Sequence, residues 1–227
     1  MNPVFVFVVL ILFLVCFTKF VLQPYNASRY AIMAVSSPVH EERLTYAKKA
    51  LQTSPLGKYQ VRGFIAEGVL ALAGNRTRRK ASERELLEEV SFIAQELEKT
   101  VQESPLDYRS LLNLGQIYNL WGGYDESKIS RASEILEQAI RISPTNQKAY
   151  WSLIQTRINQ QRFEEALSLA KKAWSLEPRV EQANYILIEV AKMAGKKDVA
   201  MEAAKKAVEI DPSWKEKVEK ILERSVD

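Results

Sequence analysis

The fold is decided by ALSLAKKAWSLEP (residues 166–178), which aligns without a gap with AMEAAKKAVEIDP (residues 200–212). A third copy, ASEILEQAIRISP (residues 132–144), keeps the same offsets between its two alanines and its proline. It begins as far before residue 166 as residue 200 lies after it. Small side chains at fixed positions let paired helices approach closely, and the proline ends one helix before the next begins. A constant period of this length, from residue 132 to 166 and from 166 to 200, predicts stacked helical hairpins.

Two earlier prolines stand in similar contexts, at the ends of ALQTSP (residues 50–55) and TVQESP (residues 100–105). The interval between successive prolines shortens along the chain and becomes constant over the last three: Pro55, Pro105, Pro144, Pro178 and Pro212. A serine or an aspartate precedes four of them, and these residues are typical of helix ends: Ser54, Ser104, Ser143 and Asp211. The repeat is thus regular in the C-terminal half and irregular before it.

The regular part resembles the tetratricopeptide repeat (TPR). Three copies cover residues 106–144, 145–178 and 179–212, and residues 213–227 form the amphipathic capping helix that such arrays need. The first copy has five extra residues, which we expect in a long turn around Gly122 and Gly123. Only the first copy has the usual glycine in its first helix, at Gly115. The resemblance implies an α-helical solenoid.

Residues 24–105 are less regular, and we expect irregular hairpins or a degenerate repeat, with two longer helices over residues 59–74 and 82–103. No strand-like alternation of note occurs in the sequence. The predicted fold is all-α: an N-terminal transmembrane helix, an α-helical TPR solenoid and a C-terminal capping helix.

The predicted transmembrane helix covers residues 1–23, where VFVFVVLILFLVCF (residues 4–17) is unbroken apolar sequence. Nineteen helical residues span about 28 Å, close to the thickness of a hydrocarbon core. A cleaved signal peptide is disfavoured, since it needs a basic start, a shorter apolar stretch and a small-residue cleavage site. A lipoprotein site at Cys16 lacks the small residue usually found before it. A buried helix of a soluble protein rarely lacks polar residues for so long.

Positive charge follows the apolar run of residues 4–17 and does not precede it, with Lys19, Arg29, Arg43, Lys48 and Lys49 all on its C-terminal side. If this helix is the only span, the positive-inside rule places the repeat array in the cytoplasm. We expect a single-pass protein of a bacterial inner membrane. In a piece of a multi-span protein, earlier helices would set the topology instead.

The net charge of +4 hides a division between the two halves of the chain. Residues 1–80 contain 11 Lys and Arg against 3 Asp and Glu, whereas residues 81–227 contain 21 against 25. Nucleic acid is disfavoured as a partner, because the repeat array is acidic and the basic cluster at residues 76–80 has no aromatic platform beside it. That cluster is either a solvated loop or a contact for anionic lipid headgroups, and it comprises Arg76, Arg78, Arg79 and Lys80.

Chemistry is sparsely represented, because the chain has one His and one Cys. Neither a Ser–His–Asp nor a Cys–His arrangement can be assembled, and no Cys/His spacing fits zinc. With 47% hydrophobic residues and a single Cys, collagen-like, disordered and disulfide-stapled classes are excluded. We expect no catalytic residue, no metal and no cofactor, and therefore no enzymatic activity of the chain by itself.

A partner-binding groove is expected on the first helices of the repeats, which line the concave face in TPR arrays. Equivalent positions mix amides, aromatics and charges of both signs, and suit a protein or peptide partner: Arg109, Gln116 and Asn119, then Lys148, Trp151, Gln155 and Asn159, then Tyr185 and Glu189. The Lys/Asn pattern of carboxylate-clamp members is absent. Alternatively, Trp151 and Tyr185 pack between helices.

The order of segments over nearly the whole chain is similar to the C-terminal tail of bacterial O-antigen ligase/polymerase-like membrane proteins. The likeness rests on QPYNASRYAIMA (residues 23–34), SPLGKYQVR (residues 54–62) and SPLDYRSLLNLGQIYNLWG (residues 104–122). The spans that hold that family's catalytic residues are missing, so no activity transfers. Two functions remain: a membrane-anchored interaction scaffold, or an accessory or truncated tail that partners a multi-span glycan ligase or polymerase.

Overall fold

The computed structural model describes residues 2–74 and 82–224, and this part of the chain contains helices and turns but no strand. An all-α fold is thereby confirmed. The chain divides into two compact units, residues 1–120 and 121–227, which are described separately. Helix α6 (Tyr108–Gly122) contains the boundary between them.

The first unit begins with a helical segment that is continuous from Pro3 to Ser36. It comprises α1 (Pro3–Phe17), a π-helical turn (Thr18–Leu22) and α2 (Gln23–Ser36). Among the described residues, this is the one helix long and apolar enough to cross a membrane, with a mean hydropathy of 2.9 in its most apolar window, none of which is buried.

Pro24 does not end this segment, although the sequence predicted that the apolar helix stops at residue 23. A proline inside a helix lacks the N–H that would bond to the preceding turn, and its ring crowds that turn. The wider π-helical turn from Thr18 to Leu22 lies directly before it and accommodates the ring. The apolar helix therefore runs without a break into α2.

Three further helices complete the described part of this unit before α6: α3 (His40–Thr53), α4 (Lys58–Gly74) and α5 (Glu83–Glu103). Helix α2 packs on α3 and α4 with its small residues Ala27, Ala31 and Ala34 buried. Gly68 of α4 allows the closest approach, since a Cβ there would lie 2.3 Å from Cγ1 of Val35. Helix α2 thus forms a hairpin with α3, as α4 does with α5.

The second unit contains α7 (Ser127–Ile142), α8 (Gln147–Asn159), α9 (Phe163–Leu176), α10 (Glu181–Met193) and α11 (Lys197–Ile210). A 3₁₀ turn (Pro212–Trp214) and α12 (Lys215–Glu223) follow. Helix α8 pairs with α9 and α10 with α11, and α12 packs against both α10 and α11. The repeated alanines are buried where the helices meet, at Ala166, Ala170, Ala173, Ala200, Ala204 and Ala207.

The five extra residues of the first repeat are distributed over its helices, and the long turn expected around Gly122 is short. Helix α6 has 15 residues against 13 in α8, and α7 has 16 against 14 in α9. The connection between α6 and α7 is only one residue longer than the equivalent connection between α8 and α9. Gly122 keeps that turn tight, because a Cβ there would lie 2.5 Å from Cγ1 of Ile129.

Candidate functional site

The best-exposed part of the predicted groove is a stripe along α8, which we call the α8 stripe: Lys148, Trp151, Gln155 and Asn159. Spacings of three and four residues place these side chains on one face of the helix. Lys148, Gln155 and Asn159 are exposed, and Nε2 of Gln155 donates to Oδ1 of Asn159 over 2.8 Å. Two amides and an ammonium group thus face solvent along this helix.

Trp151 is the least exposed member of the α8 stripe. It is partly buried against the hydrophobic core of the second unit. Its Nε1 is buried and has no hydrogen-bond acceptor among the described residues. Its indole therefore contributes to packing as well as to the surface, which combines the two alternatives that the sequence left open.

Tyr185, the aromatic residue of the equivalent stripe on α10, is covered by the segment that follows the last repeat. Tyr185 is only 4% exposed, and its ring lies edge-on to that of Trp214, with 6.2 Å between the ring centroids. The Tyr185 hydroxyl donates to Oε1 of Glu181 over 2.6 Å, and Nζ of Lys217 lies 4.2 Å from the Tyr185 ring centroid. Tyr185 is a packing residue in this structure and offers no free aromatic surface to a partner.

Two further contacts bear on the α10 stripe. Burial and then the hydrogen bond to Glu181 raise the pKa of Tyr185, so this phenol stays protonated and keeps donating. Nζ of Lys192 donates to the backbone oxygens of Leu222 and Arg224 over 2.9 and 2.6 Å, and so caps α12. Glu189 remains half-buried on the same helix.

The predicted groove residues of α6 belong to the first unit. Arg109 is exposed, and its Nε and Nη2 donate to Oε1 of Glu67 over 3.1 and 2.9 Å. Gln116 and Asn119 are half-buried and engaged in interactions within the protein. Of these three, Arg109 therefore presents the most accessible side chain.

The basic cluster of Arg76, Arg78, Arg79 and Lys80 lies outside the described residues. Within the ranges that the structure does describe, no group of three His, Cys, Asp or Glu side chains is placed to hold a metal ion.

The sequence analysis missed two clefts on the second helices of the repeats. One, of about 420 Å³, is lined by residues of α7, α8 and α9: Glu137, Ile140, Arg141, Leu153, Arg157, Glu165, Ser168 and Leu169. The other, of about 340 Å³, is lined by residues of α9, α10 and α11: Lys171, Trp174, Ser175, Leu187, Val199, Glu202, Ala203 and Lys206. Seven positions of the first cleft recur in the second exactly one repeat later, so the repeat period was the available signal.

The first cleft and the α8 stripe lie on different sides of α8. Leu153 lines the first cleft and is two residues from both Trp151 and Gln155, which corresponds to about 200° around a helix. In that cleft, Nη2 of Arg157 contacts Glu137 over 2.6 Å and its Nε contacts Glu165 over 3.2 Å. Arg157 thus pairs with two glutamates that line the first cleft, whereas Ala191 holds the equivalent position in the next repeat.

Solved structures with the same arrangement of helices identify the fold. A TPR protein of Thermus thermophilus, TTC0263, superposes with a TM-score of 0.60 at 17% sequence identity, covering 88% of this chain and 98% of that one. The fold is that of a tetratricopeptide-repeat protein. A crystal structure of MamA is also similar, with a TM-score of 0.58 at 15% sequence identity, covering 89% of this chain and 98% of that one.

A MamA fragment from Desulfovibrio magneticus RS-1 gives the same TM-score of 0.58 at 16% identity, over 83% of this chain and 96% of its own. At these identities the likeness concerns the TPR fold alone. No protein-family model and no curated protein matches the chain. The resemblance to O-antigen ligase-like tails therefore stays a prediction.

Proposed function

We propose that this chain is a membrane-anchored TPR scaffold that binds a protein partner along the α8 stripe. The observation that carries the proposal is the contrast between two equivalent helices. On α10, Tyr185 is covered by Trp214 and Glu189 is half-buried, whereas Trp151 at the position equivalent to Tyr185 is only partly buried and Gln155 at the position equivalent to Glu189 is exposed. The aromatic position of the stripe is thus covered in the last repeat, and one repeat earlier a polar surface surrounds a more accessible aromatic residue.

The chemistry of the α8 stripe favours an extended peptide segment with acidic character. Each carboxamide has both donors and an acceptor, and so pairs with the backbone N–H and C=O groups of an extended chain. Lys148 adds a positive charge for a carboxylate, and the exposed edge of Trp151 adds an apolar contact. The mutual hydrogen bond of Gln155 and Asn159 holds both amides in place before the partner arrives.

Membrane anchoring is supported by the continuity of the helix from Pro3 to Ser36. Apolar side chains cover the exposed surface of α1, including Phe5, Phe7, Leu10 and Phe13. A surface of this kind on an isolated helix is stable in lipid and unstable in water. We expect the function to rest on binding, without catalysis by this chain.

A photoreactive amino acid at Gln155, in the full chain in its native membrane fraction, tests the groove. We expect one discrete adduct that weakens several-fold when Lys148→Glu reverses the neighbouring charge. The matched control carries the same probe at Lys172, which is exposed on the second helix of the same hairpin. Equal adducts at both positions, or an adduct that ignores Lys148→Glu, would refute binding at the α8 stripe.

An accessory role beside a glycan ligase or polymerase is the alternative. It is favoured by the order of segments, in which the apolar helix continues into helical hairpins that precede the repeats, as in the resembling tails. This alternative predicts that the adduct at Gln155 contains a protein with many membrane spans. An adduct with a protein that lacks spans would leave the general scaffold as the better description.

A further inference from the structure

Two leucines of the first unit are exposed in matching loops. Leu56 is 43% exposed and Leu106 is 76% exposed. Each follows a Ser–Pro pair in the loop that joins one helical hairpin to the next helix, at residues 54–57 and 104–107. Each leucine thus presents an apolar side chain to the surroundings at a loop tip and adds little to the protein core.

The later repeats carry polar residues at the same position. The residue after the proline is Thr145, Arg179 and Ser213 in the three following loops. Leucine therefore occurs in the two loops of the unit that carries the apolar helix, and is replaced by polar residues in the loops of the other unit. This distribution follows distance along the chain from the apolar helix.

Both leucine loops lie at one end of the first unit. Lys58 directly follows the first loop, and Glu103 directly precedes the second. Nζ of Lys58 lies 2.7 Å from Oε2 of Glu103. Arg62, one turn further along α4, contacts Glu96 over 3.0 Å, as expected for antiparallel helices. The start of α4 and the end of α5 are thus neighbours.

The apolar helix leaves the unit at this same end. Helices α2 and α3 each have 14 residues and form an antiparallel hairpin. The rings of Tyr30 and Tyr46 stack 6.3 Å apart, and Nζ of Lys49 lies 6.0 Å from the Tyr30 ring centroid. This register places the end of α3, just before the first leucine loop, level with the start of α2.

We propose that this end of the first unit rests on the lipid surface and inserts Leu56 and Leu106 into it. The inference rests on the membrane anchoring proposed above, since the inserted helix would bring both loops to the bilayer. Lys48 and Lys49 are on the last turns of α3, where ammonium groups pair with anionic headgroups. The α2–α3 turn, with Val39, lies about 20 Å away at the other end of the hairpin.

A fluorescent depth measurement tests this placement. The full chain, with Cys16→Ala to remove its single thiol, is reconstituted into vesicles of equal parts phosphatidylcholine and phosphatidylglycerol. An environment-sensitive dye is attached to Leu56→Cys or Leu106→Cys. Val39→Cys is the matched control, because Val39 is a comparably apolar residue, 48% exposed, at the opposite end.

We expect blue-shifted emission, and quenching by lipids that carry a shallow nitroxide, at positions 56 and 106 but not at 39. Water-like emission at all three positions, in a chain that floats with the vesicles, would overturn the inference while leaving the membrane anchor intact. A chain that does not float would overturn the anchor and the inference together. Circular dichroism of each labelled variant checks that its helices are retained.

Discussion

Gln161 and Gly195 occupy the same position in consecutive repeats, and both have a left-handed backbone, with φ of 57° and 70°. In each case the next residue donates its N–H back to a helical carbonyl: Arg162 to Arg157 over 2.8 Å and Lys196 to Ala191 over 2.9 Å. Both helices therefore end in the same motif, which favours glycine at the left-handed residue. Gln161 holds this conformation against the strain of its Cβ.

We expect opposite stability changes at these two positions. Gln161→Gly should raise the free energy of unfolding by about 0.5–1 kcal/mol, because strain is removed from the folded state. Gly195→Ala should lower it by about 1 kcal/mol, although no atom crowds the new Cβ. Urea unfolding of the detergent-solubilised chain measures both. A gain at Gly195 or a loss at Gln161 would contradict the common motif.

The contact between Gly68 and Val35 predicts a destabilising effect of a single methyl group. Gly68→Ala would place a Cβ 2.3 Å from Cγ1 of Val35, so α2 and α4 have to separate, at a cost of about 1–3 kcal/mol. The double variant Gly68→Ala/Val35→Ala should recover much of this loss. The comparison of thermal unfolding midpoints decides it, and additive losses would show that the two residues do not share a contact.

His40 should make the stability of the first unit depend on pH. Its Nδ1 lies 2.7 Å from Glu89 and its Nε2 lies 3.2 Å from Glu88. Partial burial lowers the pKa of His40, but the hydrogen bonds to Glu89 and Glu88 and the charge of Glu85 outweigh it and raise the pKa above 6.5. Protonated His40 is therefore the form that the fold favours.

A raised pKa stabilises the folded state fully below pH 6.5, and this contribution is lost as the pH rises through the folded-state pKa. We expect the stability difference between pH 6 and pH 8 to shrink in His40→Gln. The charged residues around it, Arg43, Glu41 and Glu42 on α3 and Glu85, Glu88 and Glu89 on α5, are unchanged in this variant. An NMR titration gives the pKa of His40 directly, and a value below 6.5 would be inconsistent with its contacts to Glu88 and Glu89.

Two neighbouring glutamates of α5, Glu88 and Glu89, should differ sharply in their contribution to the free energy of unfolding. Glu89 is buried and accepts from Nε and Nη2 of Arg43 over 2.9 and 2.7 Å, whereas the side chain of Glu88 is 60% exposed. Glu89→Ala leaves the buried Arg43 without its partner and should cost about 3 kcal/mol. Glu88→Ala should cost less than about 1 kcal/mol. Equal losses in chemical unfolding would argue against a buried charge pair.

Periodicity predicted the hairpins well where the helices are equal in length. The alanine offsets located α9 and α11, because close helix contact requires small residues at regular intervals. The continuity through Pro24 was not predictable, since it depends on a π-helical turn that sequence rules treat as rare. The two clefts recur with the same period as the repeats. Each is lined by residues of three helices, so the pattern along one helix does not reveal it.

The burial of Tyr185 under the segment that follows the last repeat is a second feature that the sequence did not predict. Its position in the repeat matches Trp151 of the α8 stripe, so local sequence placed both in one groove. The difference arises from Trp214 and Lys217, which reach Tyr185 from the segment that follows the last repeat. Contacts of this kind depend on tertiary packing and leave no trace in the spacing.

In the function proposed above, the repeats act while attached to a membrane by the helix that begins at Pro3. Extraction of isolated membranes with alkaline carbonate tests it most directly, with the full chain compared with a variant that lacks residues 2–22. We expect the full chain to stay in the membrane pellet and the shortened chain to move to the supernatant. Release of the full chain into the supernatant would contradict the account.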